Sequence, residues 1–98
     1  MFALPIVRKA VDTALEGRGL SRLTADRQSM VIRLMALDAI HTYTGLSYTR
    51  IAQEIGLNRG HAQRVSKQLP KFWSSETVRA DWLSRVRLQI DTNLEYGL

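Results

Sequence analysis

The chain contains no cysteine. A disulfide framework, a thiolate metal site and a cysteine nucleophile are therefore excluded. Its two histidines, His41 and His61, do not stand at a metal-ligand spacing, so no metal is expected. A Gly-rich phosphate loop is missing too, and no internal repeat or low-complexity tract occurs. The acids Asp12, Glu16, Asp26 and Asp38 are scattered over separate expected surfaces, and Asp81, Asp91 and Glu95 are balanced by Arg79, Arg85 and Arg87. An enzyme is not expected from these residues, no cofactor is implied, and no small-molecule ligand is evident. No apolar run approaches the ~20 residues of a membrane span, and the opening Met1-Phe2-Ala3-Leu4-Pro5 lacks a basic stretch followed by a long apolar run, so no secretory signal is expected. A cytoplasmic location, bacterial or in a host cell and associated with the nucleoid, is the expectation. β-Branched alternation is nowhere sustained, so no sheet is expected.

One further scarcity is local. Between Thr42 and Trp73 the only acid is Glu54, against Arg50, Arg59, Arg64, Lys67 and Lys71. That window carries +4 of a total formal charge of +5 in 98 residues. Positive charge concentrated on one segment is the footprint of phosphate binding rather than of general solubility.

What is present reads as five helices forming one domain over residues 1–98. Pro5 suits a first helical turn, and Ile6, Val7, Ala10, Val11, Ala14 and Leu15 recur with helical period until Gly17 and Gly19. Thr24 can cap a long second helix with Asp26 in its first turn; Met30, Val31, Leu34, Met35, Leu37 and Ile40 give its apolar face, and Gly45 closes it. His41, near its end, reads as structural. Pro70 stops the fourth helix or falls just beyond it. Ser74 or Ser75 can cap a last helix over 74–95, where Val78, Trp82, Val86, Ile90 and Leu94 fall four apart, joined by Leu83.

Residues 47–69 carry the most specific pattern. Ser47 can cap a short helix whose Ile51, Ala52 and Ile55 share one face, and Ala52 is small enough for another helix to cross close above it. Gly56 tolerates the left-handed backbone that ends a helix sharply. Leu57 plugs the corner, and Asn58 can cap the next helix, in which Ala62, Val65 and Leu69 face inward. Arg59, Gly60, Gln63, Arg64 and Lys67 are left facing out. This spacing reads as a helix-turn-helix.

Leu23-Thr24-Ala25-Asp26-Arg27 through Val31-Ile32-Arg33-Leu34, followed by Gly45-Leu46-Ser47-Tyr48-Thr49-Arg50-Ile51-Ala52-Gln53-Glu54-Ile55-Gly56-Leu57, resembles sigma-factor region 4 and its relatives. There an arginine-bearing helix precedes a GLSxxEIAxxLG segment. In this chain the helix before Gly45 is longer, and Arg50 stands where an acid is usual. The segment Ile55-Gly56-Leu57-Asn58-Arg59-Gly60 is similar to the turn of plasmid repressors of the TrfB/KorA type, which read LGLTRG at that place. The likeness implies a small, dimeric, basic DNA-binding repressor.

The partner implied by the motif is double-stranded DNA. A recognition helix enters the major groove N-terminal end first, which puts Arg59, Gly60, Gln63 and Arg64 at the base edges. Arginine can pair bidentately with guanine and glutamine with adenine. Phosphate contacts are expected from Tyr48, Thr49 and Arg50 at the start of the preceding helix, and from His61 and Lys67. The last helix suggests a homodimer. Residues four apart drift by about 40° per step, so Val78 and Leu94 face different ways. Trp82, Val86, Ile90 and Leu94 are the expected dimer contacts. The expected function is sequence-specific DNA binding by a dimeric transcriptional regulator, a repressor from a plasmid or phage. A phage DNA-packaging subunit (a terminase small subunit) or a replication adaptor using the same motif is the alternative, and a protein-interaction domain that has lost DNA is a third reading.

Overall fold

Fifteen residues without a glycine or proline, apolar on nearly every side, form a helix that has to be wrapped by others. This helix, α2 (Met30–Thr44), is the axis of the fold. From Leu34 to Ile40 every residue is buried. The computed structural model describes residues 1–17, 30–56 and 59–97, with Met30, Arg59 and His61 described by backbone alone. Among these residues the chain is all-α. Helices α1 (Leu4–Gly17), α3 (Tyr48–Glu54), α4 (Arg59–Phe72) and α5 (Glu76–Tyr96) surround α2, and no strand occurs. The expected caps Thr24 and Asn58, together with Gly19, Asp26 and Leu57, lie outside the described residues.

Helices α1 and α5 pack on each other and on α2, while α3 and α4 form a second pair on it. The stripe expected on α1 is the one it buries: Val7, Ala10, Val11 and Leu15 are inaccessible, with Ile6 and Ala14 half-buried beside them. Val31, expected on the apolar face of α2, is half exposed. The connection from α2 to α3 takes three residues. Gly45 adopts φ +74°, and its N–H bonds to the His41 carbonyl. His41 Nδ1–H donates to the Leu46 carbonyl at 2.7 Å, and the Leu46 N–H donates to Thr44 Oγ1 at 3.2 Å. The structural part expected of His41 is thus to close this corner. Ser47 then caps α3, its side chain accepting from the Arg50 N–H, and Ser75 caps α5 in the same way through the Val78 N–H.

Helix α5 corrects the reading of its apolar residues. Trp82, Val86 and Ile90 are 0–1% exposed inside a single chain. They belong to the core of the single chain, so its surface does not offer them as the dimer contacts expected of them. The drift of about 40° per four residues gives the reason. The middle three of five such residues stay within about 40° of the core direction, while the outer two are carried to the flanks. Val78 is 45% exposed and Leu94 50%. The direction abandoned by Leu94 is taken up by Asn93, seven residues after Val86 and 2% exposed. Its Oδ1 accepts from Gln89 Nε2 at 2.7 Å. The indole N–H of Trp82 is satisfied by the Met35 carbonyl at 2.8 Å.

Candidate nucleic-acid interface

Helices α3 and α4 pack directly on each other. All six positions expected at their contact are buried: Ile51, Ala52 and Ile55 on one side, Ala62, Val65 and Leu69 on the other. Gly56, with φ +80°, follows α3 as expected. Burial of one face of α4 fixes which face is left to solvent. Gly60, Gln63, Arg64 and Lys67 are exposed, as the periodicity requires. The side chains of Arg59 and His61 lie outside the described residues.

The helix does not stop at Pro70. It continues to Phe72, with the proline in its last turn. A proline there removes one N–H, the donor to the Ser66 carbonyl, and two residues later the helix ends in any case. The turn beyond the proline is held from outside. Trp73, directly after α4, donates its indole N–H to Asp38 Oδ2 at 2.7 Å and packs edge-on against Phe72 at 4.8 Å. The extra turn matters because it carries Lys71. At about 100° per residue, Gly60, Arg64, Lys67 and Lys71 fall within about 60° of arc, with Gln63 and Gln68 on either side. All six are exposed, and none of the 14 residues of α4 is acidic. Lys71 is hidden in the sequence by Pro70, which on local grounds ends a helix. Its spacing of four from Lys67 was the available signal. As a cation in the last turn it also faces the negative end of the helix dipole.

The residues expected to hold phosphate from α3 fare differently. Thr49 is exposed. Arg50 is exposed too, but its Nε pairs with Glu54 Oε1 at 3.0 Å, one turn on. It is not the free cation that its segment suggested, since the one acid in the basic window sits on it. Tyr48 is half-buried. Its ring lies tilted against His41, 4.5 Å between centroids. Burial raises the pKa of its hydroxyl, and the charge of Asp38 raises it further. Tyr48 lines the cleft between α3, α4 and α5 and is not among the exposed side chains of the cationic face.

Asp38 is the residue whose role was least visible. The sequence predicts it to be one of several scattered surface acids, yet it is 3% exposed. Arg79 grips it with Nε at 2.8 Å and Nη2 at 3.0 Å, and the Trp73 indole takes the remaining approach. The hydrogen bond to Asp38 raises the Arg79 pKa, so the guanidinium stays charged throughout the working pH range. Arg79 does not balance the acids of its own helix. Two of those, Asp81 and Asp91, pair locally with Arg85 and Arg87, each four residues apart. An aspartate inside the apolar run Leu34–Ile40 was the usable signal, because a charge on a wrapped helix must find a partner. The Asp38 cluster ties the end of α4 and the start of α5 to the central helix, and so sets the pose of the cationic face.

Replacing Arg79 with leucine leaves the Asp38 carboxylate buried without its cation. The expected cost is about 3–5 kcal/mol, read as a lower urea midpoint. Adding Asp38→Leu to that variant restores part of the loss, because the uncompensated charge goes with it. A double variant less stable than Arg79→Leu would contradict this account of the pair.

Comparison with protein-family models, curated proteins and solved structures finds no match to this chain.

Proposed function

We propose that the chain binds double-stranded DNA sequence-selectively through α4, as a small dimeric transcriptional regulator of the plasmid or phage repressor kind. The observation that carries the reading is the acid-free helix α4, one face buried against α3 and α2, the other presenting Arg64, Lys67 and Lys71 in line. Two tightly packed helices with a left-handed glycine at the end of the first are the arrangement a helix-turn-helix requires. In that arrangement Arg64 and Gln63 read base edges, with Arg59 ahead of them at the start of the helix. Gly60 lets the backbone approach the groove. Lys67 and Lys71 neutralise phosphates along it.

One such helix contacts only a few base pairs, and a two-fold pair doubles the site. It would place two α4 helices about 34–36 Å apart, or a multiple of that, on a palindrome. Trp82, Val86 and Ile90 are unavailable to the pairing surface, and Leu94 is the one of the four expected contacts that remains open.

Selection of bound sequences from random duplex DNA tests the reading. The expected result is an enriched palindrome whose retention weakens as salt rises. Enrichment without symmetry would remove the dimer. No salt-dependent retention of any duplex would remove DNA as the partner.

A further inference from the structure

The cleft around Asp38 has a composition that phosphate binding does not use. It is a cavity of about 490 Å³ walled by α2, α3, α4, the α4–α5 turn and the first turns of α5. Small-molecule sites commonly fall between about 300 and 1,000 Å³. Its floor is the Asp38–Arg79 pair. Arg79 spends Nε and Nη2 on the carboxylate, and a third of its side chain stays open, against 5% for Asp38. Nη1 is therefore left with donors to offer. One turn earlier on α5, Glu76 lines the same cleft, and its charge reaches Arg79. Among the described residues Glu76 makes no ion pair of its own. The Tyr48 hydroxyl lies in the cleft and has no hydrogen bond among the described residues. Leu69, Pro70 and Trp73 supply an apolar wall beside these groups.

With Asp38, Arg79 and Glu76 the cleft carries a net charge of −1. An anion is repelled, so the DNA backbone is a poor occupant. A simple cation would leave the free edge of Arg79 without a use. A molecule that brings both signs and an apolar body satisfies every wall. We propose that this cleft binds a free α-amino acid with an apolar side chain. The ligand carboxylate takes the open edge of Arg79 and the Tyr48 hydroxyl. Its ammonium takes Glu76, and its side chain lies on Leu69, Pro70 and Trp73. The occupant would touch α3 and α4 together, the two helices assigned above to DNA. The site itself does not depend on that assignment.

Calorimetric titration of the DNA-free protein with L-leucine and L-phenylalanine tests the proposal, with tryptophan emission of a Trp82→Phe variant, in which Trp73 is the sole emitter, as a second reading. Phenethylamine and 3-phenylpropanoate each lack one of the two charges. The expected result is saturable binding of at least one amino acid below ~10 mM, with both single-charge analogues weaker by about tenfold or more. Glu76→Gln should weaken the amino acid about tenfold and Tyr48→Phe by less, with circular dichroism unchanged for both. Phenylalanine at position 48 keeps the ring on His41. Absence of saturation by either amino acid would overturn the proposal. So would equal binding of a single-charge analogue, or binding indifferent to both substitutions. Because no duplex is present, a failed DNA reading leaves this outcome unaffected.

Discussion

An aspartate at position 90 unfolds the chain instead of splitting an assembly. Ile90 has no accessible surface in the single chain and shares the buried face of α5 with Val86 and Asn93. A carboxylate there enters the hydrophobic core, and burying it costs several kcal/mol. A domain of this size is held by about 5–15 kcal/mol, so the loss removes most of the margin. Ile90→Val keeps the shape and should cost only about 0.5–1.5 kcal/mol. Circular dichroism and light scattering on the same samples separate the possibilities. The expected result for Ile90→Asp is collapse of the helical signal. A helical, thermally unchanged Ile90→Asp protein with half the wild-type mass would mean that Ile90 lies between subunits. Leu94→Asp is the informative companion. Its site is half exposed, so the fold survives and any change in mass reports on pairing.

The pattern that made Ile90 look like a contact residue shows where sequence reading reaches its limit. Spacings of three and four within one helix were enough to place Ile51, Ala52, Ile55, Ala62, Val65 and Leu69 in one packed layer, and they lie there. Caps are local too, and Ser47 and Ser75 bond as a side chain three residues before an orphan N–H should. In α5 the same local rule follows i, i+4 steps outward to Leu94. The helix itself continues by i+7 from Val86 to a buried Asn93, and a polar residue does not announce a core position. The Asp38 cluster joins residues 35 and 41 apart in sequence, through Trp73 and Arg79. No periodicity encodes that meeting, and the cleft above it was invisible for the same reason. Pro70 misled in the opposite direction. Its local cost is real, but Asp38 of α2 holds Trp73 directly after that turn, and tertiary contacts outweighed the rule.

Removing the cationic stripe should abolish useful DNA binding while leaving the fold intact. In Arg64→Ala/Lys67→Ala/Lys71→Ala every altered side chain is exposed, and α4 keeps the buried Ala62, Val65 and Leu69 that hold it in place. Alanine is also the best helix former, so helical content stays unchanged. The expected loss of duplex affinity is about 3–5 kcal/mol, a factor of about 10² to 10⁴. The single variants divide it by mechanism. Arg64→Ala should cost about 1–3 kcal/mol and relax preference at one base step, because a bidentate contact to guanine goes with it. Lys67→Ala and Lys71→Ala should weaken all sequences alike, each lowering the slope of log affinity against log salt by about one unit. Arg50→Ala is the internal control. Its charge is already compensated by Glu54 at 3.0 Å, so its effect on the slope should be the smaller one. Titrations of one duplex at several salt concentrations read all of these together. A triple variant with the wild-type slope would mean that α4 is not the face that meets DNA. An Arg50 effect larger than that of Lys71 would move the contact from α4 to α3.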